Sequence, residues 1–304
     1  MQEVESRVQV KNGLVLVIPT RNRGKTLRTL LESIRFLSFM PDSTIVVDAS
    51  DEFRDFSEEF SDINLIHLNS ERASAAFQRN MGIETAVNFF PNFQFIAFLD
   101  DDVTVNLDYF QNTVTLLNNN PDFIGISGLA LYDQGKPTRR NKVLDFFGWS
   151  GSPGSLTKSI VNISPQGLET FKQVDWLIGC SVWRRRVVES LRFEADFQGQ
   201  SLFEDVIFSV RASELGKLGC DPNIIIRHNM STLGRPNLQT HFQDWIVNRH
   251  RLFRYTKSTF SKRKYWTLNY LLLLRSLVLG IFNSRHRKIA LGLFKGIIAI
   301  QRAN

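Results

Sequence analysis

Three carboxylates stand side by side at Asp100-Asp101-Asp102, delivered by the apolar run Phe95-Ile96-Ala97-Phe98-Leu99. Neighbouring carboxylates repel one another and resist leaving water, so at the end of a buried strand they want a compensating cation. Hard divalent cations such as Mg2+ or Mn2+ take oxygen ligands and are often held by one or two carboxylates together with substrate phosphates. The trio therefore suggests a metal-bound diphosphate. A polar loop containing a helix cap fits the same residues, since Asp is common in both places. A second acidic pair, Glu204-Asp205, follows Ser201-Leu202-Phe203 in the pattern of a capping box, with Ser201 as N-cap and Glu204 at the third helical position. Asp205, beside the apolar Val206, Ile207 and Val210, is placed to serve as a general base. The helix dipole favours its charged form while partial burial opposes it. A surface Asp that merely complements the dipole is the plainer alternative.

These residues need a scaffold that brings them together, and the chain supplies a βαβ rhythm. Strand-length apolar runs at 14–18, 45–47, 63–68 and 95–99 alternate with helical patterns, at 25–37 after the first and 71–87 before the last. Continuously apolar strands imply a sheet covered on both faces. Parallel strands joined by right-handed crossovers place their loops along one edge, where ligands bind. Each motif follows a strand. Pro19-Thr20-Arg21-Asn22-Arg23-Gly24 offers hydroxyl, amide and guanidinium groups at a helix start, where anions are stabilised. Asp48, Ser50 and Asp51 are acceptors suited to a base edge or ribose, or equally to an Asx-type cap. Arg79 and Asn80 fall mid-helix, and Gly82, which costs helix stability, implies a close backbone approach. The segment 174–183 reads as a further strand, followed by Arg184-Arg185-Arg186 as a basic helix start.

With 304 residues, 43% of them hydrophobic, the chain can bury a large core as one big domain or a domain with an appendage. Cys180 and Cys220 lie in apolar contexts and read as core thiols, so a disulfide framework is not expected and a reducing compartment fits. The start, Met1-Gln2-Glu3-Val4-Glu5, carries acid where a signal peptide carries base. Charge is uneven: after Asp244 there are 13 Lys and Arg and no acidic residue, against 24 basic and 30 acidic in residues 1–244. Such a tail suits nucleic acid or an anionic membrane. The apolar run from Tyr265 to Phe282, flanked by aromatics and bases, favours the membrane. The run is shorter than the about 20 apolar residues of a full span and is interrupted by Arg275. A shallow in-plane helix with snorkelling bases is expected, or a helix pair packed on the main domain.

Taken in order, Val17-Ile18-Pro19-Thr20-Arg21-Asn22-Arg23, Val47-Asp48-Ala49-Ser50, Gln78-Arg79-Asn80-Met81-Gly82, Phe98-Leu99-Asp100-Asp101-Asp102 and Phe203-Glu204-Asp205 resemble the inverting glycosyltransferases of family 2 over roughly residues 13 to 230. The resemblance implies an α/β fold of GT-A type, a Rossmann-like, mostly parallel sheet flanked by helices, with a C-terminal helical extension. It implies a transferase domain over 1–240, with a nucleotide-binding half at about 13–131 and an acceptor side at about 132–240, and a basic, membrane-proximal extension over 241–304. The implied reaction moves a hexosyl or deoxyhexosyl group from a nucleoside-diphosphate sugar, UDP before dTDP or GDP, to an acceptor hydroxyl, with Mn2+ or Mg2+. Pro19, Thr20, Arg21 and Asn22 would line the nucleotide pocket with Asp48 and Ser50, and Arg79 would lie near the base or diphosphate. Asp100 would face ribose and sugar beside Asp101, Asp102 would ligate the metal, and His228 falls where some members place a further ligand. Asp205 matches the catalytic base. One departure is Asp-Ala-Ser at 48–50, where Asp-Gly-Ser or Asp-Asp-Gly-Ser is commoner.

A saccharide or lipid-linked saccharide acceptor, an anionic membrane surface and a cytoplasmic, peripheral location at the inner face of the cell membrane complete the expectation, without nucleic acid. Two rivals stand beside it. A nucleotidyltransferase would use the same acids, but its glycine-rich, Lys-bearing loop is missing between Arg21 and Lys25. A non-catalytic membrane or nucleic-acid binder led by the tail leaves the Asp trio and Asp205 without a purpose.

Overall fold

The computed structural model describes residues 11–132, 149–197, 201–228, 237–255 and 259–303. The first half alternates as expected: β1 (Leu14–Thr20), α1 (Gly24–Ile34), β2 (Ser43–Asp48), β3 (Leu65–Asn69), α2 (Ala75–Phe89) and β4 (Phe95–Phe98). Then come β5 (Val103–Val105), α3 (Tyr109–Asn119), β6 (Phe123–Tyr132), β7 (Lys172–Val174), β8 (Ser181–Arg184) and the short α4 (Arg185–Ser190). α5 (Glu204–Ala212) and β9 (Lys217–His228) complete the sheet, and α6 (Leu238–Arg251), α7 (Lys262–Gly280) and α8 (Ser284–Ala303) close the chain.

The nine strands among the described residues form one sheet in the order β3-β2-β1-β4-β8-β6-β9-β5, with β7 on β9. Strands β3, β2, β1 and β4 are parallel. β8 runs antiparallel between β4 and β6, and β6 and β9 are parallel. The sheet is thus mixed but mostly parallel, wrapped by helices on both faces. Alternate residues of β1 divide between the two cores. Val15 and Val17 pack on the side of α2 and α5, whereas Leu14, Leu16 and Ile18 pack on the side of α1 and α3. Burial on both faces is what makes β1 an unbroken apolar run.

α1 earns its place by conventional amphipathicity, burying Leu27, Leu30, Leu31 and Ile34. α2 does not: Gln78, Arg79 and Asn80 are buried alongside Ala76, Ile83 and Ala86. Its polar side faces inward, towards the carboxyl ends of the strands. Gly82 lets it do so, because a Cβ there would lie 2.3 Å from Val17 Cγ1. The close approach expected of that glycine is what is found.

Two elements depart from the expected pattern. The segment 174–183 is not one strand: β7 pairs with β9 and β8 with β4 and β6. Between them backbone and side chain find other partners, Leu177 N–H donating to Ser209 Oγ and the Trp176 indole to the carbonyl of Ile163. Nor is Ser201 an N-cap. Helix α5 begins at Glu204 after Phe203, which holds a left-handed φ of 78°. Ser201 is buried, and its hydroxyl accepts from the Ala76 amide.

The tail packs on the domain. Gly292 and Gly296 of α8 let it approach α6, a Cβ at Gly296 falling 2.0 Å from Ile246. Tyr265 of α7 donates its hydroxyl to the Ile246 carbonyl. No helix among the described residues is long and apolar enough to cross a membrane. The outer side of α7 and the turn after it nevertheless leave Leu274, Leu277, Val278, Ile281 and Phe282 exposed, the last at 91%. Both cysteines are buried and free, and burial pushes the Cys220 thiol up to about 12. Part of the segment 132–171 expected on the acceptor side, residues 133–148, lies outside the described residues.

Candidate active site

The carboxyl ends of β1, β2 and β4 form one edge, and the motifs meet there. Strand β4 ends at Phe98, so the three acids leave the sheet in a turn before β5 and take different directions. Asp101 turns under the edge. It is 4% exposed, Oδ2 accepting from the Thr20 hydroxyl at 2.6 Å and Oδ1 from Arg23 at 2.7 Å. Expected on the donor side, it instead anchors the trio to β1, with both oxygens engaged. Burial raises its carboxyl to about 6, against the pull of Thr20 and Arg23.

Asp100 and Asp102 meet a third group. With His228 they offer three ligand atoms that all lie within 4.8 Å of one another. The fold explains the third member: β5 pairs antiparallel with β9 so that Val103, next to Asp102, sits opposite His228. His228 Nε2 is 3.5 Å from Asp102 Oδ1. Two carboxylates and an imidazole form a donor set suited to a divalent cation of the Mn2+ type. Arg23 also reaches Asp102 Oδ2, at 3.2 Å. Sequence reasoning passed over this arginine as one of several polar groups in its loop.

Arg79 lies beneath Asp100. One guanidinium nitrogen donates to Asp100 Oδ1 at 2.7 Å and another pairs with Glu204, while the side chain is 3% exposed. It touches the site through Asp100. Glu204 is therefore an ion-pair partner and not the second half of a capping box; nothing local announces it, because Arg79 is distant in sequence. Asp205, the next residue, is partly accessible at its surface yet densely surrounded, and accepts from the Val206 amide at 2.8 Å. Burial lifts its carboxyl to about 6, and the nearby Asp100 adds to the rise; the Val206 amide and Arg79 oppose it. Of the two opposing effects read from the sequence, burial outweighs the helix terminus.

The remaining expected residues line the other end of the edge. Pro19 is buried in β1 opposite Val47 and reaches the site only through Thr20. Asn22, at a left-handed φ of 54°, ties the first loop to the second: its N–H donates to Ser50 Oγ and its side chain exchanges hydrogen bonds with Asp51. Arg21 is exposed and pairs with Asp51 at 3.2 Å. Helix α1 starts with no side-chain cap and no acid in its first turn, which suits an anion there. Asp48 is 4% exposed, and its Oδ1 accepts from the Ser50 amide and hydroxyl. Asp48, Ser50, Asn22, Lys25, Arg28 and Phe56 line an open cavity of about 680 Å3, large enough for a nucleotide-sized ligand. Gln78 binds the carbonyls of both Thr20 and Val47, holding β1 and β2 together beneath it.

Against known proteins, residues 15–191 match the profile described as Glycosyl transferase family 2. A glucosyl-dolichyl phosphate glucuronosyltransferase of Haloferax volcanii is 27% identical over 128 residues, 41% of this chain and 39% of that protein. The chain thus aligns with well under half of that relative's length. An O-antigen chain rhamnosyltransferase, RfbN, of Salmonella typhimurium is 22% identical over 77% of this chain and 72% of its own. Among solved structures, the mannosyltransferase PcManGT of Pyrobaculum calidifontis, in complex with GDP-Man and Mn2+, superposes with a TM-score of 0.58 at 14% identity, covering 94% of this chain and 86% of that one. GalNAc-T7 with UDP, GalNAc and Mn2+ gives 0.56 at 16% identity, over 77% and 48%. The shared fold is the GT-A type.

Proposed function

The chain belongs to glycosyl transferase family 2, and from that premise we propose that it is an inverting, divalent-metal-dependent enzyme moving a hexosyl or deoxyhexosyl group from a nucleoside-diphosphate sugar to an acceptor hydroxyl. Membership in the family removes the grounds for the nucleotidyltransferase and tail-led binding readings. The observation that carries the proposal is the convergence of Asp100, Asp102 and His228 on one point, with the carboxyl of Asp205 close enough to feel both Asp100 and Arg79.

Asp100, Asp102 and His228 would hold Mn2+ or Mg2+, which when bound supplies charge to stabilise the leaving diphosphate. Asp205 Oδ2 accepts the proton of the acceptor hydroxyl as that oxygen attacks the anomeric carbon from the face opposite the diphosphate, which inverts the centre. A carboxyl that titrates near 6 is mostly ionised in neutral solution, ready to act as a base, yet basic enough to take the proton in the transition state. Thr20 and Arg23 hold Asp101 and so fix the backbone turn that carries Asp100 and Asp102, while Arg21, Asn22, Asp48 and Ser50 frame the base and ribose, with Arg79 steadying Asp100. UDP ranks before dTDP and GDP as the donor nucleotide.

The acceptor is a saccharide or lipid-linked saccharide in surface polysaccharide or glycolipid assembly, a reading supported by the likeness to the glucuronosyltransferase and the O-antigen chain rhamnosyltransferase. We place the enzyme at the cytoplasmic face of the membrane, bound peripherally through the apolar tip at Ile281 and Phe282 and the flanking Arg275, Arg285, Arg287 and Lys288. A thermal-shift screen of UDP, GDP, dTDP and their sugar conjugates with and without Mn2+ tests the chemistry. Metal-dependent stabilisation by one of them supports it, and silence across the panel refutes it. Flotation with anionic vesicles tests the location: binding should weaken with salt and in Phe282→Ser, and no binding at low salt removes the membrane from the reading.

A further inference from the structure

We propose that His67 sets the base selectivity of the Asp48 cavity by fixing the direction of the Asp48 carboxylate, favouring bases that present a ring N–H. This rests on the reading of that cavity as the nucleotide site. His67 stands on β3, opposite Val46 in register, and its side chain is fully buried. It lies between the rings of Phe53 and Phe56, with centroids 4.9 and 5.6 Å away. Its Nδ1 accepts the Phe56 amide at 3.1 Å, so the ring proton of the neutral imidazole is on Nε2. Nε2 is 3.6 Å from Asp48 Oδ2 and has no hydrogen-bond partner among the described residues.

A buried donor left unbonded is unfavourable, and a slight turn of Asp48 would satisfy it. Asp48 Oδ1 is already held by the amide and hydroxyl of Ser50. Only Oδ2 is left for a ligand, and His67 stands behind it. With its carboxylate steered from both sides, Asp48 accepts from the ring N–H of uracil, thymine or guanine. Cytosine and adenine present a ring nitrogen lone pair at that position, which a carboxylate repels. His67 also donates its own amide to Ser57 Oγ, tethering the loop that carries Phe56. It acts through Asp48 and is a positioning residue.

Calorimetric titration of the full chain with UDP, CDP, GDP and ADP in Mn2+ tests this, in the wild type, His67→Phe, His67→Gln, Asp48→Asn and the His67→Phe/Asp48→Asn double variant. The wild type is expected to prefer UDP over CDP, or GDP over ADP, by at least about tenfold. His67→Phe should collapse that ratio while preserving turnover of bound donor, and His67→Gln, which retains an N–H donor, should recover part of it. Combining the changes should alter the ratio no further than Asp48→Asn alone. An undiminished ratio in His67→Phe overturns the inference and leaves the proposed function standing. A wild type that binds none of the four overturns both. Should His67→Phe fail to fold, the imidazole 15N spectrum of the wild type decides: the Nε2–H resonance moves on adding the preferred nucleotide, and a stationary resonance overturns the inference.

Discussion

Two buried arginines hold the two ends of this molecule, and they are satisfied by opposite means. Arg79, under the strand edge, pairs with carboxylates, Asp100 on one side and Glu204 on the other. Arg249, in α6, meets no carboxylate among the described residues: it donates to the carbonyls of Ser159 and Ile160 and to Asn269 Oδ1, between the faces of Trp245 and Tyr265. Desolvation with no neighbouring anion draws the Arg249 guanidinium down to about 10. Carbonyl dipoles and ring faces can hold a charge permanently but cannot exchange it, which suits an anchor between the tail and segment 156–163. Carboxylates can trade a guanidinium for another cation or release a proton. On the proposed reading the chemistry belongs beside Arg79, and Arg249 serves packing.

The sharpest way to break this contrast is at the acid beside Glu204. Asp205→Asn should cost about 10³-fold in kcat, within the span of general-base removal, with a melting temperature no lower than that of the wild type; near-normal turnover would refute Asp205 as base. Next, Arg79→Met should cost both activity and roughly 3 kcal/mol of stability, because it strands the buried Glu204. Arg249→Met should cost about 2 kcal/mol, since its carbonyl partners lose donors while an apolar chain fills the space. Activity per folded molecule should be retained. If urea melts and assays show Arg249→Met equally inactive, the two sites are not separable.

The smallest effect is one of pH. Asp205 and Asp101 sit near 6, above the ordinary value of 3.8 that applies to the unfolded chain. The folded state therefore holds more protons between about pH 4 and 6, so their stabilising contribution is complete below the unfolded value and is lost as pH rises through 6. Activity should move the opposite way, kcat/KM rising with an apparent pKa near 6 as Asp205 becomes a free base. Parallel melts and rates across that range check the opposition, and Asp205→Asn should flatten its share of the melting profile.

Much of this arrangement is written locally. Strands buried on both faces announce themselves as apolar runs, the acids follow strands, and Gly82 advertises the approach of α2 to Val17. What escaped local reading depends on partners far along the chain. Glu204 looked like a cap because its spacing from Ser201 fits one; only the positive φ of Ser201 and Phe203 turns the chain so that Glu204 meets Arg79 instead. Arg23 gains its meaning from Asp101, and His67 from Asp48 and Phe56. The apolar segment 174–183 has the composition of one strand, but at Trp176 and Leu177 its hydrogen bonds go to Ile163 and Ser209, which no periodicity reveals.

The pairing of β5 with β9 has a consequence for how the protein is born. The acid trio and β5 leave the ribosome early, while His228, at the far end of β9, is made long after them. A nascent chain can therefore thread the parallel half and bury its core while the three-ligand cluster is still incomplete. Metal capture at the proposed site would then be a late event in synthesis, and a chain that stalls before β9 would carry the acids without the third group that completes their cluster.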